Sequence, residues 1–371
     1  MRKAMKKGTP SICLNALLLQ NHLGGIGNYA YHLARLLCDT HPDWNISLLV
    51  HSGVAERFRD IPRLRVHVVD LSSRSMRLIF LHLIFPFRSG RYALLHSLGN
   101  MGLIFCRTPQ IITIHDSYEH VSPERFGRIK RLMMRFLIST SGANARRIIV
   151  NSFSTREDVE TYYPHLALKL SVIYMGNKFP VRSHSQINKN GDFLFVGTIE
   201  PGKNLPLVLK AFSRFYRKHG GKLKVVGAEG WKQSHIPDLI DSLEISNVIE
   251  FLGYVPNSQL CDLYEHSLAL IQASTYEGFG LPVVEAMACG CPVIAARNSG
   301  LIESGGNSAL FFETNDDEDL LRQMETVYND LELRRRCIDS GFLHAAQFTW
   351  ERTARETAKI YESLLAKGSQ G

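Results

Sequence analysis

The sequence predicts an α/β protein made of two doubly wound domains with parallel sheets. Three observations predict it: a length beyond the reach of one core, β-rich runs alternating with helical patterns in two series, and a polar, irregular stretch between the series. At 371 residues the chain exceeds what a single hydrophobic core usually organises, so two domains are expected. A hydrophobic fraction of 45% with 21% charged residues belongs to a packed globular chain and excludes a disordered or fibrous one.

The first series of β-rich runs covers 11–19, 45–51, 64–70, 93–97, 110–115, 147–151 and 171–174. The second covers 193–196, 223–226, 248–252, 269–273, 293–296 and 309–312. Helical patterns separate many of these runs, as they do where strands pair in parallel through crossovers. Residues 176–191 (GNKFPVRSHSQINKNG) are polar and irregular, which places a first domain at 1–177, a linker at 178–191 and a second domain at 192–371. At the end, about 350–366, Ala354, Thr357, Ile360, Tyr361 and Leu364 recur on one helical face.

The apolar run 78–87 is broken by His82 and Pro86 and has about half the length of a bilayer crossing. A helix expected over 125–140 sets Ile129, Leu132, Met133, Phe136 and Leu137 on one face, with Arg125, Arg128, Lys130, Arg131 and Arg135 around the rest. Packing of that stripe into the core is the expected outcome, and docking on a membrane is the alternative.

Charge is uneven. Through Lys178 there are 24 Lys and Arg against 11 Asp and Glu, a net +13; the remainder carries 19 against 24, a net −5. The first half therefore faces something anionic: nucleic acid, a bilayer surface or a phosphate-bearing acceptor. No reader motif for nucleic acid and no interleaved aromatic stripe accompanies the charge, so nucleic acid is not the expected partner. Seven scattered cysteines without metal-ligand spacing read as reduced, buried thiols. The basic start, MRKAMKKGTP, runs into a short strand-like segment ending at Gln20, Asn21 and His22 rather than into a signal-peptide core. A cytoplasmic protein, with peripheral attachment to the inner face of the membrane through its basic half, is the expectation.

Chemistry concentrates at 273–296 (ASTYEGFGLPVVEAMACGCPVIAA). A buried strand ends near Ser274, a loop with Gly278 and Gly280 follows, Pro282 opens a helix, and Gly290 ends it before the next strand. This βαβ unit puts its loop at the carboxyl end of a strand, where open α/β sheets bind ligands. The helix N-terminus supplies backbone N–H groups to a diphosphate, and the glycines let a phosphate or sugar oxygen approach the backbone closely. Glu277 and Glu285 are acceptors for sugar and ribose hydroxyls. Taken singly, they read better as first-turn acids that complement a helix dipole.

Taken together, this string resembles the E-x7-E signature of the retaining glycosyltransferases of family 4, which have the GT-B fold: two facing Rossmann-like domains around an interdomain cleft. The resemblance implies that Glu277 approaches the donor sugar and Glu285 the ribose, with Gly278, Phe279, Gly280 and Leu281 lining the donor site. Residues 195–205 resemble the family's first strand and phosphate loop in the second domain, which implies Gly197, Thr198 and Lys203 as donor contacts and Lys203 as the cation facing the diphosphate. Thr198 and Gly202 stand where arginines are common, so Lys203 carries that duty alone or with a residue elsewhere. A surface lysine beside Asn204, itself a plausible N-cap, is the alternative.

Gly24, Gly25, Gly27 and Asn28 resemble the family's acceptor-side glycine loop. His115, at the end of a strand, resembles a histidine that approaches the donor sugar. Tyr254 and Val255 resemble the base-binding segment, and residues 298–312 carry a further acid, Glu303. The resemblance implies catalytic roles for His115, Glu277 and Lys203, departure of the diphosphate with retention of configuration, and deprotonation of the acceptor by the leaving phosphate. The C-terminal helix is expected to cross back to the first domain, as in the family. The string 197–204 is most similar to mannosyl and related deoxyhexose transferases of bacterial surface polysaccharides, so GDP-mannose is the first expected donor and a saccharide or lipid-linked saccharide the acceptor.

Other readings stay open. Gly25, Gly27 and Ala30 satisfy a dinucleotide fingerprint, but the loop starts late after its strand and the next strand ends at His51 without the ribose-binding acid. A GT-B epimerase or phosphorylase would use the same fold. Asp317, Glu318 and Asp319 sit in an acidic opening turn rather than a D-x-D metal motif, so no metal and no cofactor beyond the donor is expected.

Overall fold

The computed structural model describes residues 9–19, 24–71, 73–181, 192–230 and 234–368. The basic start at 1–8, Gln20 to His22 and most of the expected linker, 182–191, lie outside the described residues. The chain divides into two compact units, Met1–Gly176 with Thr349–Gly371, and Asn177–Phe348.

The first unit holds β1 (Ser11–Asn15), β2 (Asn45–His51), β3 (Arg65–Val69), β4 (Leu94–Ser97), β5 (Gln110–Ile114), β6 (Arg147–Val150) and β7 (Leu170–Val172). They form one parallel sheet in the order β3-β2-β1-β4-β5-β6-β7. Every residue of β4 and β5 is buried, the continuous pattern of strands covered on both faces, whereas β3 at the edge is half open. β1 stops at Asn15, short of the expected 19, because the Asn15 Oδ1 accepts from the Leu17 N–H at 3.2 Å and turns the chain.

The sheet runs outward from β1 to one edge and from β4 to the other, so the switch in direction falls between β1 and β4. Right-handed crossovers then put the helical segment 74–89 and the helix Arg128–Asn144 on one face, and the helix Gly25–Thr40 on the opposite one. The latter face also receives the last helix, Trp350–Gly368. Trp350 stacks on His32 at 4.7 Å, Thr353 Oγ1 donates to the Tyr174 carbonyl, and Tyr361 contacts His96 at 2.5 Å. His96 in turn meets Thr113 on β5, all inside the core. This helix, placed by sequence order at the end of the second domain, is thus built into the first unit.

The expected helix at 125–140 starts later, at Arg128, because Pro123 opens a separate 3-10 turn, Pro123–Arg125. Its stripe differs from the expectation more deeply. Leu137 is buried, but Ile129, Leu132, Met133 and Phe136 are exposed, since the helix packs through Leu137, Ile138, Ser141 and Gly142 instead.

The second unit holds β8 (Asp192–Val196), β9 (Leu223–Val226), β10 (Ile249–Gly253), β11 (Ser267–Gln272), β12 (Val293–Ala296) and β13 (Leu310–Phe312). They form a parallel sheet in the order β10-β9-β8-β11-β12-β13, with the switch between β8 and β11. Phe179, expected in the linker, packs into this unit's core against Tyr264. All seven cysteines are free thiols, six of them buried.

Candidate functional site

In the second unit the loops after β8 and β11 meet at the switch point. The loop after β8 ends in the 3-10 turn Pro201–Lys203, whose Gly202 carbonyl accepts from the Thr275 N–H at 2.9 Å. The loop after β11 ends at Gly280, which holds φ at 97° and opens the helix Leu281–Ala288 with Pro282 in its first turn. The conformation requires glycine, and a Cβ there would also stand 2.8 Å from both Leu301 Cδ2 and Ser304 Oγ, which would have to shift.

Glu277 lies in that loop, 9% exposed. Its Oε1 accepts from Gln272 Nε2 at 3.1 Å, from Ser274 Oγ at 2.7 Å and from the Lys203 ammonium. Its backbone N–H donates to Ser299 Oγ, and its carbonyl accepts from the Gly300 N–H. All three side-chain donors fall on Oε1; Oε2 takes none among the described residues. The carboxylate is fixed in orientation with one oxygen left for a ligand hydroxyl.

Glu285 sits within the helix, 5% exposed. Lys178 Nζ stands 3.2 Å from its Oε1, and Tyr264 donates to Oε2 at 3.3 Å. Burial pushes the Glu285 carboxyl up from its ordinary range, and Lys178 and Tyr264 pull it back in part. No acid occupies the helix's first turn, so the dipole reading of Glu277 and Glu285 is corrected: one precedes the helix and the other lies beyond its opening turn.

The surface-lysine reading of Lys203 meets a similar correction. Its side chain is largely buried and paired with Glu277, and Asn204 has φ 57° and donates its side chain to Asn315 Oδ1 instead of capping the helix Leu205–His219. Gly197, Gly278 and Phe279 lie on the same two loops and Leu281 opens the helix that follows, with Phe279 buried against Phe348 and Thr198 exposed. Tyr254 is exposed after β10, while Val255 is buried in the core, which leaves only its backbone for a ligand. The Glu303 carbonyl contacts the His344 ring at 3.1 Å. Asp317 and Glu318 pair with Arg214, and Asp316 caps their helix. Among the described residues no group of three or more His, Cys, Asp or Glu could hold a metal ion.

In the first unit the switch point carries a hollow of about 290 Å³ at the carboxyl ends of β1 and β4. Gly24, Gly25 and Gly27 border it at the start of the helix Gly25–Thr40, with Leu18, Leu98, Met101 and Met134 as apolar lining and Asn15, Asn100 and Arg74 as polar edges. Asn28 donates its N–H to the Gly24 carbonyl and so belongs to the helix's first turn.

Asn100 links this hollow to His115, whose backbone N–H donates to Asn100 Oδ1 at 2.8 Å. The His115 Nε2 faces the Leu98 carbonyl at 2.9 Å and must carry the proton, which makes Nδ1 the acceptor. Among the described residues Nδ1 is buried without a partner. Burial pulls the His115 pKa down to about 4, so the ring is neutral near pH 7. A neutral imidazole with an open lone pair suits a hydroxyl donor.

Sequence reasoning missed Lys178, Tyr264, Gln272, Ser274, Ser299 and Asn100. Lys178 was read as linker, and the others carry no spacing signal of their own.

Comparisons with known proteins match both halves of the chain to glycosyltransferase family models. The family model described as "Glycosyltransferase Family 4" matches residues 23–176, and that described as "Glycosyl transferases group 1" matches 179–344. O-antigen chain mannosyltransferase B of Escherichia coli is 27% identical over 267 residues, 68% of this chain and 70% of that protein. Sucrose-phosphate synthase from Thermosynechococcus elongatus superposes with a TM-score of 0.78 at 19% identity, covering 96% of this chain and 100% of that one. Anabaena HepE, solved with UDP and glucose, superposes at 0.75 with 20% identity, covering 95% and 100%. At such identities the two structures speak for the fold alone.

Proposed function

The chain belongs to the family 4 glycosyltransferases and has the GT-B fold, and on that premise we propose that it moves a hexose from a nucleotide-sugar onto a cell-surface glycan precursor. The donor is GDP-mannose and the acceptor a saccharide or lipid-linked saccharide. The observation that carries this reading is Glu277, a buried carboxylate with Oε1 held by three donors and Oε2 open, at the switch point of the second sheet. In this reading Glu277 holds the sugar, Lys203 and the helix N-terminus at Leu281 stabilise the departing diphosphate, and Glu285 holds the ribose. His115 Nδ1 accepts from a sugar hydroxyl. The hollow beside Gly24, Gly25 and Gly27 receives the acceptor, and the first unit's +13 charge meets an anionic partner, a phosphate-bearing acceptor or lipid surface.

The likeness to the Escherichia coli mannosyltransferase supports mannose, and UDP-sugars are the rival donor class. Transfer proceeds with retention and without metal.

A donor screen read by nucleotide release, with crude membrane lipid as acceptor, tests the proposal. GDP-mannose should react fastest, EDTA should leave the rate unchanged, and NMR of the product should show the donor's anomeric configuration. Release from UDP-sugars alone would remove mannose, an inverted product would remove retention, and no release from any donor would remove the reaction itself.

A further inference from the structure

We propose that the first unit docks on an anionic lipid bilayer through one built surface, formed by the helical segment 74–89 and the helix Arg128–Asn144. The inference deepens the reading that this unit meets an anionic partner, and rests on it.

Each helix is apolar on two sides, and only one side is accounted for by the core. Segment 74–89 sends Leu78, Leu81 and Phe85 inward, and Arg128–Asn144 sends Leu137 and Ile138 inward. Outward, Met76, Ile79, Leu83 and Phe87 recur at three- and four-residue spacing, and Phe87 is 83% exposed. On the other helix Ile129, Leu132, Met133 and Phe136 do the same, with Ile129 at 86%. Helices that merely cover a sheet present polar residues on that side.

The two stripes belong to one surface. Both helices cross in the same direction and lie on the same face of the sheet. Arg74 from one and Met134 from the other border the same hollow. At their far ends the loop around exposed Phe105 joins them: Thr108 Oγ1 donates to the Ser89 carbonyl at 2.9 Å, and Asn144 Nδ2 to the Ile104 carbonyl at 2.7 Å.

Charge selects the occupant. Neither 74–89 nor 128–144 contains an Asp or Glu, while Arg74, Arg88, Arg128, Lys130 and Arg131 flank the apolar residues. A second copy of this chain would set like charge against like across a twofold contact. An anionic bilayer accepts both features, taking the apolar stripe at the acyl boundary and the cations at the headgroups. No described helix is long and apolar enough to cross a membrane, so the contact lies in the plane of the interface.

The test is co-sedimentation of the full chain with vesicles of phosphatidylcholine, or of phosphatidylcholine and phosphatidylglycerol in equal parts, alongside GDP titration and thermal unfolding. The wild type should sediment with the mixed vesicles and scarcely with the neutral ones. Ile129→Ser with Phe136→Ser, and separately Lys130→Glu with Arg131→Glu, should each weaken sedimentation roughly tenfold or more, with GDP affinity unchanged. The charge pair keeps the test valid if the apolar pair lowers unfolding temperature. No wild-type binding to anionic vesicles would overturn the anionic-surface reading together with this one. Wild-type binding that both variants retain would overturn only the assignment to this surface, as would a dimer in light scattering that the substitutions dissolve.

Discussion

The two units carry the same sheet logic and opposite chemistry at their switch points. In the second, between β8 and β11, the carboxylates of the proposed donor site are held by neighbouring side chains: Glu277 by Lys203, Gln272 and Ser274, and Glu285 by Lys178 and Tyr264. In the first, between β1 and β4, the site is a largely apolar hollow beside a glycine loop, with the neutral ring of His115 reached through Asn100. Charges held in a buried, hydrogen-bonded frame suit a ligand of fixed chemistry such as a nucleoside diphosphate. An apolar hollow with few polar edges suits an acceptor recognised by shape.

Substitutions can break or sharpen this contrast. The largest effect should come from Glu277→Gln, which keeps shape but removes the charge that three donors hold. It should lower kcat/KM for transfer roughly a thousandfold, about 4 kcal/mol of transition-state stabilisation, in steady-state assays. A change of only a few-fold would mean that the wiring of the second unit is structural.

Next comes a first-unit carboxyl outside both switch points. Glu119 is buried, accepts from Tyr163 at 3.0 Å, and burial raises its pKa from 4.5 to about 7. Its folded pKa lies above its unfolded one, so the unfolded chain gives up the proton first and stability falls as pH rises from 4.5 towards 7. Glu119→Gln should remove that slope, worth about 3 kcal/mol across the window by the shift, when denaturant unfolding is followed at several pH values. An unchanged slope would show that Glu119 stays ionised in the fold.

Gly280→Ala should cost about 2 kcal/mol in the second unit, since φ is 97° and the new methyl meets Leu301 and Ser304. Thermal unfolding measures it, and a neutral outcome would mean that the loop before Leu281 adapts. The smallest effect should come from Leu18→Trp, which fills the first unit's hollow. Acceptor KM should rise roughly tenfold, about 1.4 kcal/mol, with GDP affinity untouched. A parallel loss of GDP affinity would erase the division of labour between the units.

The sequence showed the strands clearly, because parallel strands buried on both faces read as continuous apolar runs bounded by polar turns, as β5 and β11 do. It showed Glu277 and Glu285 because glycines, a proline and two acids at fixed spacing make a pattern. Tertiary partners were invisible. Lys178 lies in a polar stretch that reads as linker, and only folding brings it to Glu285. Periodicity revealed the amphipathic helix at Arg128–Asn144 but not its orientation, since a stripe facing the core and a stripe facing outward have the same period. The C-terminal helix posed the same problem: the face carrying Ala354 and Tyr361 was legible from the pattern, while its partner in the first unit came only from the family resemblance.

The most direct test of the account is calorimetric titration of GDP and UDP into the wild type and into Glu285→Ala. GDP should bind the wild type more tightly than UDP, and Glu285→Ala should weaken GDP roughly thirtyfold, about 2 kcal/mol, while the chain stays folded. GDP affinity unchanged in a folded Glu285→Ala protein would remove the nucleotide from this site.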